Sequence, residues 1–355
     1  MRLAMVKAKN QGGIMYEVIP NIYCIDTEAF GQKKIIASYL LKGRNKTALI
    51  DPGFPSSSEK LKDKLRKNNI DPASIDYILL THFHLDHSGG AGAFIQDNPE
   101  VKVLIHKRAA FYVKNFGKIV GGARMVFRPE LIRKFGEAFA VPAENIGSFT
   151  DGDRIDLGGM RLRVIHTPGH CADEVSFYEE TSGSVFTGDA ACLQYPAFNY
   201  EAIPAGSPPL FDMAEELNSL GILRSLTVEK IFIPHYGEIH ETWKDFLDLN
   251  RAAIENTKKL IIGMFRENIE FPQMVEKMRA NIIRDSGRSE DDIPEFLRNV
   301  YIREMLKTGL MGFLAYLLQY APYPRSFSSE ICGNEINELS AKSVEHSARI
   351  ETAAV

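Results

Sequence analysis

Apolar and polar positions along the chain fall into a short-period and a long-period rhythm. Residues 23–26, 36–42 and 47–51 are brief runs rich in β-branched and aromatic side chains, broken by turn residues. The Gly43-Arg-Asn-Lys46 segment divides the last two as a hairpin loop would. Residues 57–67 are charged, with Leu61 and Leu65 four apart, a helical spacing. Residues 77–80 form an unbroken apolar run, the pattern of a strand buried on both faces. A further strand is predicted at 101–105, then mostly helix to about residue 140.

The second half repeats this order. Strands are predicted at 153–157 and 160–165 around Gly158-Gly159, and a hairpin at 175–178 and 185–189. A helix over 213–224 leads to a strand at 231–233. Each half therefore runs hairpin, acid (Asp51 or Asp189), helix, strand, histidine (His82 or His235). Two such halves would pack sheet on sheet with helices outside, an α/β four-layer sandwich. Their strand ends would bring Asp51, His82, Asp189 and His235 to one edge. Beyond residue 243 the spacing is helical, as in Phe246, Leu249, Ala253 and Ile254, and again in Ile302, Leu306, Leu310, Phe313 and Leu317. The expected division is a loose leader at 1–14, with Met15 an alternative start. A metal-binding domain follows at 15–245, then a C-terminal helical extension at 246–321 and a flexible tail at 322–355.

A length of 355 residues allows one large domain with an appendage, or two domains. A formal net charge of −4 gives no reason to expect nucleic acid or an anionic membrane as partner. The longest apolar stretch, residues 309–318, is far short of the roughly 20 residues of a membrane-spanning helix. The four cysteines, Cys24, Cys171, Cys192 and Cys332, include no CxxC pair, which fits a reducing, cytoplasmic setting. The N-terminus carries basic residues but no apolar core of a secretory signal.

The chemistry concentrates in His82-Phe-His84-Leu-Asp86-His87, four potential metal ligands within six residues, directly after the buried strand. In extended backbone, residues two apart point the same way, so His82 and His84 can hold one ion. Asp86 and His87 sit past the turn and can face a second. The following Ser-Gly-Gly permits a tight turn into a helix.

Together with His166-Thr-Pro-Gly-His170, Phe186-Thr-Gly-Asp189 and Pro234-His235-Tyr-Gly237, in this order, the segment resembles the metallo-β-lactamase-fold hydrolases over residues 15–245. The nearest likeness is to soluble archaeal and bacterial members with an added helical C-terminus. The resemblance implies a dinuclear metal site. His82, His84 and His170 would hold one divalent ion, Asp86, His87 and His235 the other, and Asp189 would bridge them. Asp51 would support a ligand by hydrogen bonding. A nitrogen and oxygen set suits zinc, and iron or manganese too. Such a pair of ions would share a metal-bound hydroxide as nucleophile, with Asp86 also orienting it as a catalytic residue.

The resemblance thus implies a metal-dependent hydrolase of a small ester, thioester or lactone. A phosphodiesterase or nuclease, and a mononuclear-iron sulfur dioxygenase, are the alternatives. A non-catalytic binding module sits poorly with a complete ligand set. His84 stands where flavodiiron proteins carry an acid. Asp189 stands where the commonest true metallo-β-lactamases carry Cys. The segment after Asp189 lacks the Gly-Cys-Gly-Arg of glyoxalase II.

His106, His166 and His240 read as structural or surface residues, and Cys171 and Cys192 as small buried ones. Tyr236, Tyr195 and Arg124 are candidates for substrate contact. Residues 101–134 hold nine Lys/Arg against one acid, Glu130. If Lys114, Lys118, Arg124 and Arg128 overhang the metals, they would draw in an anionic small molecule and make turnover salt-sensitive. The run lacks the dense aromatic interleaving of a single-strand binder, which argues against nucleic acid.

Overall fold

The computed structural model describes residues 15–320. The expectations for residues 1–14 and 322–355, Cys332 included, lie outside the described residues. The first sheet runs β1 (Met15–Ile19), β2 (Ile22–Asp26), β3 (Ala37–Lys42), β4 (Thr47–Ile50), β5 (Tyr77–Leu79), β6 (Lys102–His106) and β7 (Ile146–Phe149), in that spatial order. The second comprises β8 (Arg154–Asp156), β9 (Arg161–His166), β10 (Val175–Glu179), β11 (Ser184–Phe186), β12 (Lys230–Ile233) and β13 (Gly237–Ile239), ordered from β13 to β8. β7 and β13 were not legible as strands. Each is short, at four and three residues, and lies at a sheet edge.

Alternation along each strand explains the layers, because successive side chains point to opposite faces. In β4, Ala48 and Ile50 enter the core between the sheets, while Leu49 enters the core on the helix side with Leu61 and Leu65. In β12, Phe232 joins the inter-sheet core, and Ile231 and Ile233 join the helix side with Leu220, Leu223 and Phe246. Both faces of the central strands are therefore buried, which gives the expected four-layer αββα arrangement, while the edge strands β1 and β8 leave residues open to solvent. Leu61 and Leu65 lie on the Ser58–Lys67 helix, and Leu220 and Leu223 on the Met213–Leu223 helix.

The repeat read from the sequence corresponds to a repeat in pairing. β3 and β4 are antiparallel and β4 and β5 parallel; β10 and β11 are antiparallel and β11 and β12 parallel. The parallel strands send the segments after β4, β5, β11 and β12 to one edge of the sandwich. The C-terminal helical region consists of the Trp243–Arg266, Phe271–Ser286 and Ile302–Tyr320 helices, the last entered through a π-helical turn at Leu297–Tyr301. Among the described residues, no helix is long and apolar enough to cross a membrane.

Candidate metal centre

Asp51 leaves β4 with φ +48°, a left-handed conformation that an aspartate adopts at a cost. Its carboxylate ties the next strand's end to its own. It accepts hydrogen bonds from the Thr81 N–H (2.9 Å) and the Thr81 hydroxyl (2.7 Å), and lies 3.0 Å from His87 Nδ1. The chain then passes His82 and His84 and turns into the short helix Leu85–Ser88, which carries Asp86 and His87. The turn that delivers His170 requires glycine. Gly169 has φ +145°, and a Cβ there would lie 2.4 Å from the Glu216 Cα.

The structure gathers the seven expected ligands into two adjoining groups. His84 Nδ1 lies 2.9 Å from His82 Nε2 and 2.8 Å from His170 Nε2. His235 Nε2 lies 3.3 Å from His87 Nε2 and 3.5 Å from Asp86 Oδ2. Asp189 stands between the groups. Its Oδ2 is 3.6 Å from both His87 Nε2 and His170 Nε2, and its Oδ1 is 3.5 Å from His235 Nε2.

Whether these residues suit a metal can be judged from the outer ring nitrogens. His82 Nδ1 is 3.0 Å from Glu174 Oε2, and His87 Nδ1 is 3.0 Å from Asp51 Oδ2. His170 Nδ1 meets the Ala205 carbonyl, and His235 Nδ1 is 3.1 Å from the Tyr195 hydroxyl. A carboxylate or carbonyl oxygen can only accept, so at His82, His87 and His170 it fixes a hydrogen on Nδ1 and turns Nε2 to the centre, the arrangement that orients ligating histidines; the Tyr195 hydroxyl can accept from His235 in the same way. Asp189 Oδ1 is buried without a hydrogen-bond partner, an orphan that a cation would satisfy.

The electrostatics agree with this donor set. Burial, reinforced by the neighbouring histidines, pushes the His82 and His84 imidazoles well below their ordinary range, which leaves their lone pairs free. At His87 burial acts in the same direction, but Asp189, Asp86 and Asp51 outweigh it and hold the ring well above, so a cation at this position would take the place of the Nε2 proton. At Asp189 burial acts upward, and His235, His87 and His170 prevail to hold the carboxylate low. The donors therefore fit one or more divalent cations.

Glu174 was not singled out in the sequence. Besides His82, it accepts from the Asp189 N–H at 3.1 Å and from the Cys171 thiol at 3.6 Å. Gly188 has φ +58°, and a Cβ there would meet Glu174 Oε1 at 2.0 Å. Its position in Cys171-Ala-Asp-Glu174, just past a candidate ligand, was the available signal.

A cavity of about 280 Å³ opens over the cluster, with His84, Asp86, His170, Asp189 and His235 in its floor. Its walls are chiefly apolar and include Phe54, Phe83, Ile119, Val126, Phe135, Leu193 and Met305.

The three expected substrate contacts stand elsewhere. Tyr195 is wholly buried behind His235 and supports that ring instead. Tyr236 lies in the inter-sheet core with Tyr39 and Phe232, where its apolar ring fills space between the layers. Arg124 is exposed, on a helix that turns Ile119, Ala123 and Val126 toward the cavity. Of the four basic residues expected over the metals, only Lys118 lines the cavity. Arg128 pairs with Glu304 at 2.9 Å.

His106 and His166 stack on each other at 4.7 Å, apart from the seven ligands. Burial, followed by the charge of His166, lowers the His106 imidazole to about 4. Its folded value is thus below the unfolded value of about 6.5. The associated stability is present above about pH 6.5 and is lost as pH falls toward 4. Urea unfolding across that range should show a smaller loss for His106→Phe than for the parent. An identical slope would remove His106 as its source.

Residues 33–235 match the family model of the Metallo-beta-lactamase superfamily, and the chain belongs to that superfamily, whose members are mostly hydrolytic enzymes. It is 30% identical over 285 residues to the lactamase-like protein aptB of Emericella nidulans, covering 79% of this chain and 74% of that protein. A hydroxyacylglutathione hydrolase of Idiomarina loihiensis is 27% identical over 155 residues, covering 41% of this chain and 42% of that protein. The crystal structure of the metallo-beta-lactamase family protein TTHA1429 from Thermus thermophilus shares the fold. Its TM-score is 0.60 at 19% identity, over 85% of this chain and 95% of that one.

Proposed function

We propose that this protein is a metal-dependent hydrolase of small esters or thioesters, or of a lactone, whose acyl part is apolar. The observation that carries the reading is the placement of seven convergent donors beneath an apolar-walled cavity. His82, His84 and His170 would hold one divalent ion, Asp86, His87 and His235 a second, and Asp189 would be shared. Zinc fits, as do iron and manganese. Such ions supply a nucleophile from water at neutral pH and polarise a carbonyl.

The chain's own residues do the rest. The Asp86 carboxylate accepts a hydrogen from the attacking water and so orients it. The walls hold the acyl group and exclude bulk water, and Lys118 at the wall attracts an anionic leaving portion. The similarity to a protein named for an acyl-glutathione substrate supports the thioester class. The apolar walls fit a phosphodiester poorly and a small molecule well, and the free thiols of Cys24, Cys171 and Cys192 fit a reducing, cytoplasmic setting.

Elemental analysis after metal-replete purification should give about two equivalents per chain. One equivalent of iron alone would favour the sulfur dioxygenase reading. On p-nitrophenyl esters, kcat/KM should rise at least about tenfold from acetate to hexanoate, since each buried methylene is worth roughly 0.8 kcal/mol. A flat chain-length profile would remove the acyl assignment.

A further inference from the structure

The C-terminal helical region contributes two polar side chains to the cavity wall, Thr308, whose hydroxyl donates to the Glu304 carbonyl, and Tyr301, from the Leu297–Tyr301 turn. The Tyr301 hydroxyl lies 3.1 Å from the Tyr195 hydroxyl, which in turn lies 3.1 Å from His235 Nδ1. Both tyrosines are buried. The direction of this chain of hydrogen bonds follows from His235, whose Nε2 faces Asp86 Oδ2 and Asp189 Oδ1 at 3.5 Å each. With Nε2 as the ligating atom (the proposed reading, on which this inference rests), the ring hydrogen is on Nδ1. It is donated to the Tyr195 oxygen. A phenol has a single hydrogen. Tyr195 therefore gives its own to the Tyr301 oxygen, its other polar partner. The Tyr301 hydrogen is then left without an acceptor among the described residues, on the wall of a cavity whose floor is the metal cluster.

We propose that Tyr301 is a catalytic residue supplied by the C-terminal helices. Its hydroxyl donates a hydrogen bond to the substrate's carbonyl oxygen as negative charge develops there. No proton is transferred: the donation from Tyr195 polarises the Tyr301 O–H and strengthens it as a donor. Tyr195 acts through Tyr301 and His235 and is a positioning residue. A π-helical turn at this point accords with the frequent use of such turns at functional sites.

The test compares the zinc-replete parent, Tyr301→Phe and Tyr195→Phe, using p-nitrophenyl hexanoate for turnover and calorimetric titration with hexanoate for binding. Tyr301→Phe should lower kcat about 100-fold, the scale of losing one oxyanion donor, with KM within about threefold of the parent. Hexanoate, whose carboxylate takes the same bond, should bind about tenfold more weakly. Metal content should match the parent; the ring's packing is kept, and the Tyr195 O–H left without its acceptor should lower the melting temperature only modestly. Tyr195→Phe should cost less in kcat, about tenfold, because Tyr301 keeps its hydroxyl. Parent-like kcat and hexanoate affinity in Tyr301→Phe would overturn the proposal. So would a larger kcat loss in Tyr195→Phe than in Tyr301→Phe, which would place the effect at His235. If the parent hydrolyses no ester or thioester, the hydrolase reading fails, and the hexanoate affinities still decide the role of Tyr301.

Discussion

Asp189→Ala is expected to abolish detectable turnover and to remove metal from the protein, whereas Asp51→Ala should retain a measurable fraction of both. The difference lies in what each carboxylate touches. Asp189 faces three histidine nitrogens from both halves of the cluster, at 3.5–3.6 Å, and one of its oxygens has no partner. Its loss would remove the group that both cation positions share. Asp51 touches no cation position itself; it reaches the cluster at His87 Nδ1 directly and at His82 Nδ1 through the Thr81 hydroxyl. Losing a partner of that kind costs roughly 10–100-fold in metal affinity or activity. Asp51 has a second duty, since it also accepts the Thr81 N–H and O–H. Buried donors left unpaired cost about 1–3 kcal/mol each, so Asp51→Ala should also destabilise the metal-free protein. Elemental analysis and urea unfolding of the two metal-free variants separate these effects. Equal metal loss from both would remove Asp189 from its shared position.

The fold was legible because the sandwich buries both faces of each sheet. Continuous apolar runs such as residues 77–80, each ending in an acid or a histidine, announce strands whose ends carry chemistry. The run from His82 to His87 was legible for a related reason: its spacing alone sets which side chains share a side. Side-chain direction beyond the ligands was not legible. Tyr195 and Tyr236 stand near Asp189 and His235 in sequence, yet one ring backs His235 and the other fills the inter-sheet core. Arg124 carried the right charge on a helix that turns it outward. Tyr301 gave no signal, because only the packing of a distant helical region brings it over the site. Glu174 sits in the turn before β10, where an acid reads as solvated surface, and only the placement of its partners shows that it is buried against them.

Glu174 provides the second large effect. Its two oxygens receive three donors: the Asp189 N–H, the His82 ring and, more weakly, the Cys171 thiol. Glu174→Ala should therefore weaken the orientation of His82, which keeps only the Thr81 hydroxyl at Nδ1, and free the backbone of Asp189 between the two groups. Metal affinity, measured against a competing chelator, should fall at least about 10–100-fold. The metal-free protein should lose about 1–3 kcal/mol in urea unfolding, from the Asp189 N–H left buried and unpaired, since His82 Nδ1 keeps the Thr81 hydroxyl at 3.0 Å. Glu174→Gln keeps the shape but only one acceptor oxygen, so it should fall between parent and alanine in both measurements. Cys171→Ala supplies the contrast. His82, His170, Cys171 and Glu174 lie close enough to hold an ion themselves, and a site of that kind would lose metal equally from either alanine variant. The geometry favours a supporting carboxylate instead. The thiol is 3.6 Å from Glu174, and burial, with Asp173 and Glu174 beside it, pushes its pKa well above the usual range, away from the thiolate form that binds metals. Cys171→Ala should thus keep its metal while Glu174→Ala loses it, and matched losses would move the first cation position onto the Cys171 side of His82.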